Sequence, residues 1–213
     1  MEVKNHKVIS NFIDQKDAAQ LIKWIEGIEY NETSSNHHLT ELAKELNGVS
    51  HIYDVSNTEL TNYIAKYQSI TENSKDSVPD LIYDLIVRIS QELGISKDHT
   101  FFQAVDMKQG GKINPHYDAS VEGYINYKCN LCLLSDDYKF YVGDQNLSVK
   151  ELDLYCFEAS LYKHWTDTFN SRRVFISFGF MVPYKELGRS EEDPRIRLSR
   201  RIERYFQRAG EAN

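Results

Sequence analysis

Cysteine is scarce in this chain: three in 213 residues, too few and of the wrong parity for a disulfide-stapled scaffold. Proline and glycine are also few, at four and ten, which excludes collagen-like and low-complexity architectures. No apolar run approaches the roughly 18 residues a membrane helix needs. The opening Met1-Glu2-Val3-Lys4-Asn5-His6 has none of the apolar core of a secretion signal. Positive charge is in deficit, with 25 Lys and Arg against 32 Asp and Glu, a formal net charge of −7. Phosphate contacts depend on clustered cations, so this balance argues against a nucleic-acid partner. What is present is ordinary for a packed chain: 41% hydrophobic and 27% charged residues, too apolar for disorder. The expectation is one soluble, cytoplasmic domain over 1–213, with no membrane partner and enough residues for a real core.

The part from 7 to 99 reads as mainly helical. Val8-Ile9-Ser10 is a short strand candidate, and Asp14 or Asp17 can cap a helix through Trp24 that Gly27 ends. A loop over 30–36, a short helix over Thr40–Leu46, a strand over Val49–Val55 and a helix over Glu59–Ile70 follow. In Pro79–Leu93 the residues Leu81, Ile82, Leu85, Ile86, Ile89 and Leu93 recur at the spacing of one buried helix face.

From Thr100 the period changes to two. Phe101–Met107, Lys112–Asp118, Tyr127–Leu134, Lys139–Val142, Leu147–Val149, Asp153–Glu158, Leu161–His164 and Arg173–Met181 read as strands. Turn clusters such as Gln109-Gly110-Gly111 and Gly143-Asp144-Gln145-Asn146 separate them. So many short, punctuated strands predict a sandwich or barrel, jelly rolls included, over 100–184, with the upstream helices covering one face. A charged helix is expected over 185–213.

Chemistry concentrates at His116-Tyr117-Asp118. On a strand, residues i and i+2 share a face, so the imidazole and the carboxylate converge. His164 stands at the end of another predicted strand. Two histidines and one carboxylate from neighbouring strands make a facial triad that leaves positions open on a non-haem Fe(II). Further on, Arg172 and Arg173 open a strand whose parity separates them. Arg172 shares a face with Val174, Ile176, Phe178 and Phe180, an apolar stripe suited to packing. Arg173 shares the other with Phe175, Ser177 and Gly179, smaller and more polar. A guanidinium fork on a cavity face calls for an anion, and a carboxylate fits it in bidentate fashion.

This pattern, His116-x-Asp118 then His164 then Arg173 on a β-rich half behind a helical one, resembles the Fe(II)- and 2-oxoglutarate-dependent oxygenases. The approach Met107-Lys108-Gln109-Gly110-Gly111-Lys112-Ile113-Asn114-Pro115 is similar to the glycine turn of prolyl-4-hydroxylase-like members, and Val8-Ile9-Ser10-Asn11-Phe12 to the way such domains begin. The resemblance spans roughly residues 7–184. It implies an α+β chain with a double-stranded β-helix (jelly-roll, cupin-like) core and N-terminal helices packed on one sheet. It further implies His116, Asp118 and His164 as iron ligands, Arg173 on the distal carboxylate of 2-oxoglutarate, and ascorbate as an accessory reductant. Many members carry a tyrosine where Met107 stands, so Tyr127, Asn130 or Ser177 is expected to contact the co-substrate instead. Prolyl hydroxylases usually have Lys one residue further from the distal histidine than Arg173, so their substrate does not carry over. Related halogenases have Gly or Ala at the position of Asp118; a carboxylate there implies hydroxylation. The implied activity is hydroxylation of an unactivated C–H in an amino acid, peptidyl residue or small metabolite, releasing succinate and CO2.

Other signals point to structure. Cys129 and Cys132 have zinc-like spacing, but residues three apart on a strand face opposite ways and no second pair exists. His6, His37, His38, His51 and His99 have no carboxylate at ligand spacing. Basic residues over 195–206 keep open a nucleic-acid demethylase of the AlkB type, although that family has a second arginine where Gly179 stands. A cupin-like binding barrel without catalysis is the non-enzymatic alternative.

Overall fold

Strands that alternate between two buried faces dominate the computed structural model, which describes residues 6–27, 67–69, 78–97, 100–107, 109, 113, 115–118, 120, 123–136 and 138–196. In chain order the elements are β1 (His6–Ile9), α1 (Gln15–Gly27), β2 (Tyr67–Ser69), α2 (Asp80–Leu93), β3 (Thr100–Met107) and β4 (Tyr124–Leu134). β5 (Tyr138–Val142), β6 (Gln145–Val149), β7 (Leu154–Glu158), β8 (His164–Thr166) and β9 (Arg173–Pro183) complete them. The larger sheet has the order β1-β7-β4-β9-β3-β2 and the smaller β6-β5-β8. Every pairing is antiparallel. This is the expected jelly-roll core.

The helices cover the outer face of the larger sheet. Leu21 and Ile25 of α1 and Ile82, Leu85 and Ile89 of α2 share one core cluster with Phe102, Ala104, Cys129, Leu131, Val174, Ile176, Phe178 and Phe180. Asp14 caps α1 by accepting the Asp17 amide at 2.8 Å. α2 ends at Gly94, whose left-handed φ of 66° lets the amides of Gly94 and Ile95 turn back to the carbonyls of Gln91 and Ser90. A second cluster, with Cys132, Phe140, Val142, Leu147, Tyr155 and Phe157, fills the space between the two sheets. Both faces of β4 and β9 are therefore covered, which is why their burial is nearly continuous. Cys129 and Cys132 lie in different clusters, on opposite faces of β4.

Several boundaries differ from the sequence reading. Tyr67–Ser69, placed in a helix, pairs as β2 with Val105, Ala104 and Gln103, because a sheet edge was available to it. The segment expected as the strand Lys112–Asp118 forms only an isolated bridge at His116 among its described residues. The piece expected at Leu161–His164 is a turn, and His164 opens β8 rather than ending a strand. The four-residue turn at 143–146 shortens to Gly143-Asp144, since Val142 pairs with Gln145 and Gly143 takes a positive φ of 60°. The elements expected at Thr40–Leu46 and Val49–Val55, the histidines at 37, 38, 51 and 99, and most of the charged C-terminal helix lie outside the described residues. No helix among the described residues is long and apolar enough to cross a membrane.

Ile176 is wholly buried between β9 and the helices. Ile176→Ala should cost about 2–5 kcal/mol, read as a lower urea midpoint at an unchanged denaturant slope. A loss below about 0.5 kcal/mol would mean the helices do not pack on this face.

Candidate metal and anion site

Backbone pairing brings the two histidines together. The His116 amide donates to the His164 carbonyl at 3.2 Å and the His164 amide returns the bond at 3.0 Å. Asp118 follows by donating its amide to the Ala159 carbonyl at 3.0 Å, and Thr166 donates to the Ile113 carbonyl at 3.1 Å. Thr166 to His164 is two steps while Ile113 to His116 is three, so no continuous ladder forms. The convergence expected of a regular strand is thus achieved by a slipped one.

The His116 and His164 rings meet edge-on with centroids 4.0 Å apart. Asp118 Oδ1 lies 3.3 Å from His116 Nε2 and 3.9 Å from His164 Nε2. One donor atom from each of the three residues falls within 4.8 Å of the others, a spacing at which they can share one ion. His164 Nδ1 lies 3.1 Å from the Tyr162 carbonyl. A carbonyl only accepts, so Nδ1 holds the proton and Nε2 presents a lone pair toward Asp118. Burial, then the neighbouring His116, brings the His164 pKa down to about 3, which keeps the ring neutral. Burial alone would raise the Asp118 pKa; the Lys128 ammonium, then the hydrogen bond from His116, hold it well below the usual carboxylate range. The donor set is two imidazoles and a carboxylate, and it suits a divalent transition metal.

His116 and His164 open on a cavity lined by Met107, Lys128, Asn130, Phe175 and Ser177 among others. Arg173 lies on the same face of β9 as Phe175 and Ser177 and is 0% exposed. Its guanidinium sits 4.1, 4.8 and 4.2 Å from the ring centres of Tyr138, Phe169 and Phe175. Nη2 donates to the hydroxyls of Tyr138 at 2.6 Å and Tyr155 at 2.5 Å. Nε and Nη1 have no hydrogen-bond partner, and neither has the nearby Asn130 Oδ1. A buried cation with two idle donor nitrogens has the chemistry to take an anion.

Arg172 does the opposite. It points outward, where Nε and Nη2 grip Asp106 at 2.9 and 2.8 Å and Nη1 reaches Glu26 of α1 at 2.9 Å. Standing just before β9, it ties α1 to β3.

Of the sequence-predicted residues, His116, Asp118 and His164 meet, and Asn130, Ser177 and Arg173 line the inner face behind them. Tyr127 does not join them: it faces the helices, in the core cluster with Cys129 and Phe180. Two residues apart on one strand would have shared a face; three, as for Tyr127 and Asn130, cannot. Sequence reasoning missed Tyr138, Tyr155 and Phe169 around Arg173. It also missed Lys128, whose Nζ stands 2.9 Å from Asp118 Oδ2. The available signal was parity, since Lys128 is two residues before Asn130 in an otherwise apolar strand.

In comparisons with solved structures, an oxidoreductase of the 2OG-Fe(II) oxygenase family from Burkholderia pseudomallei matches with a TM-score of 0.56 at 12% identity, over 83% of this chain and 84% of its own. The chain has the fold of the 2-oxoglutarate- and Fe(II)-dependent oxygenases. This oxygenase fold is also similar to a viral collagen prolyl hydroxylase from Paramecium Bursaria Chlorella virus-1, in its 2-oxoglutarate complex (TM-score 0.51, 10% identity, 84% and 96% covered). A prolyl hydroxylase from Trichoplax adhaerens, bound to a hypoxia inducible factor peptide fragment, matches at TM-score 0.52 and 12% identity, over 86% of each chain. No family model and no curated protein matches the sequence.

The neutral state of His164 has a consequence for the metal-free oxygenase fold. Between its folded pKa of about 3 and the ordinary value near 6.5, the unfolded chain binds the proton and the native chain does not. Stability should therefore fall as pH drops from about 6.5 toward 3, with Asp118 acting in the same direction at the acid end. Urea melts at pH 7, 5.5 and 4.5 should show a shallower loss for His164→Gln. A variant curve parallel to the parent would remove His164 from this role.

Proposed function

We propose that this chain is an Fe(II)- and 2-oxoglutarate-dependent dioxygenase that hydroxylates an unactivated C–H of an amino acid, peptidyl residue or small metabolite, with succinate and CO2 as co-products. The observation that carries this reading is Arg173: a wholly buried cation with two idle donors, on the face that leads to the His116-Asp118-His164 cluster.

His116, Asp118 and His164 would hold the iron, and Arg173 the distal carboxylate of the co-substrate. When bound, the iron and the 2-oxo acid supply the activation of O2. The chain's own work is placement and exclusion. Tyr138, Phe169 and Phe175 keep water from the guanidinium, so its pairing with a carboxylate is strengthened by the low local dielectric. Tyr138 and Tyr155 hold Nη2 and thereby aim the fork. Asn130 and Ser177 face the space beside Arg173 and offer polar contacts to the co-substrate. Asp118 would supply the third protein ligand to a bound metal, which would favour hydroxylation over transfer of a halide. The ring of Phe101 stands where a side chain at Gly179 would project, so the position of a nucleic-acid demethylase's second arginine is a glycine covered by an aromatic ring here.

Arg173→Ala should weaken 2-oxoglutarate binding by about 2–5 kcal/mol, roughly 30- to several-thousand-fold, while iron still binds. The titration follows the visible charge-transfer band of the anaerobic Fe(II) protein. Arg172→Ala should leave this affinity within about threefold and lower stability by no more than about 1 kcal/mol. Equal, negligible effects in both variants would favour a plain binding barrel. His116→Ala and Asp118→Ala should each abolish tight Fe(II) binding, since one of three protein ligands is lost; undiminished metal content in His116→Ala would reject the assignment.

A further inference from the structure

Lys128 is the charged residue of this cavity that the reading above does not use. It lies on the inner face of β4 with Asn126 and Asn130, between Phe157 of β7 and Gly179 of β9, its direct partners in the two ladders. Its side chain is 13% exposed, and its ammonium stands 2.9 Å from Asp118 Oδ2. An ammonium has three donors, and among the described residues its one ion-pair partner given by the geometry is this Asp118 oxygen. Next to it the Phe101 ring covers Gly179, where an added Cβ would come within 2.1 Å of Phe101 Cζ. Around these, Val105, Met107, Ile113, Phe140, Phe157 and Phe175 give the cavity an apolar wall.

Charge balance assigns Lys128 a partner. With metal and co-substrate in place, the dication brings two positive charges and Lys128 and Arg173 one each. The 2-oxo diacid brings two negative charges and Asp118 one, and among the described residues the cavity lining includes no other carboxylate. One positive charge is left over. It would fall to Lys128, because a bound metal would share the Asp118 carboxylate while Arg173 would be matched by the co-substrate. A buried ammonium in such a cavity is strongly favoured by one further anion.

We propose that Lys128 is a specificity-determining residue that receives the carboxylate of the primary substrate, so that the substrate class is a small amphipathic monoanion: one free carboxylate on a largely apolar body, rather than an internal residue of a peptide. This inference rests on the oxygenase reading. The apolar wall takes the body of the molecule, and the ammonium beside the metal ligand fixes which end lies nearest the metal.

The test uses the protein loaded with Co(II) and 2-oxoglutarate, in which binding is followed by the cobalt absorption spectrum without turnover. The probes are N-acetyl derivatives of alanine, valine, leucine, proline and phenylalanine, each against its own primary amide, which matches it in shape and lacks the charge. At least one acid should bind tenfold or more tightly than its amide. Lys128→Arg should retain that preference within about threefold, and Lys128→Met should lose it. Amides bound as well as acids, no acid bound, or a preference that survives in Lys128→Met would each overturn the role of Lys128. The same samples report Co(II) and 2-oxoglutarate binding: if these bind normally while the preference is absent, only the substrate assignment falls. Failure of wild type to bind both removes the oxygenase reading and this inference with it.

Discussion

Strand β9 is buried on both faces, and the site depends on which residues its alternation sends to which side. Val174, Ile176, Phe178 and Phe180 pack against the helices, so Arg173, Phe175, Ser177 and Gly179 must face inward. A slip of one residue would drive the Arg173 guanidinium into an apolar layer and turn four large apolar side chains into the cavity. The cost of burying that charge unpaired and of emptying the helix interface would fall on the same event. Register is therefore set by the core, and the inward placement of Arg173 follows from it.

The interior so defined is rich in charge for its size. Arg173, Lys128 and Asp118 are all taken out of water, and the protein compensates them unequally. Asp118 is met by Lys128 and by the two imidazoles, whereas Arg173 is met by hydroxyls and aromatic faces alone. Desolvated charges of this kind weaken a fold more often than they strengthen it. Placed beside His116 and His164, these charges are already aimed and dry, the condition under which an ionic ligand would leave little to reorganise.

The helical layer is coupled to the same strand. Arg172, just before β9, points to the outer side and joins Asp106 of β3 to Glu26 of α1, so neighbouring arginines divide the work of clasping the exterior and lining the interior. Similarity to prolyl hydroxylases at 10–12% identity is a likeness of fold.

Much of the fold was legible because periodicity is a local property. The helix faces of α1 and α2, the period-two segments from Thr100 onward and the parity of Arg172 and Arg173 follow from hydrophobic spacing that needs no partner to be read. The residues His116, Asp118, His164 and Arg173 stood out for the same reason: their chemistry is unusual at those positions in a strand pattern. Tertiary structure alone decided the rest. Tyr67–Ser69 became a strand because the edge of β3 offered hydrogen bonds, which outweighed a helical pattern. The Ile113–Asp118 segment met β8 through a slipped pairing, since contacts with a distant segment set its register. Tyr127 was turned from the cavity and Lys128 into it once β4 was seated between β7 and β9. The aromatic cradle of Arg173 draws on β5, β7, β9 and the loop at Phe169, residues far apart in sequence that only folding brings to one charge.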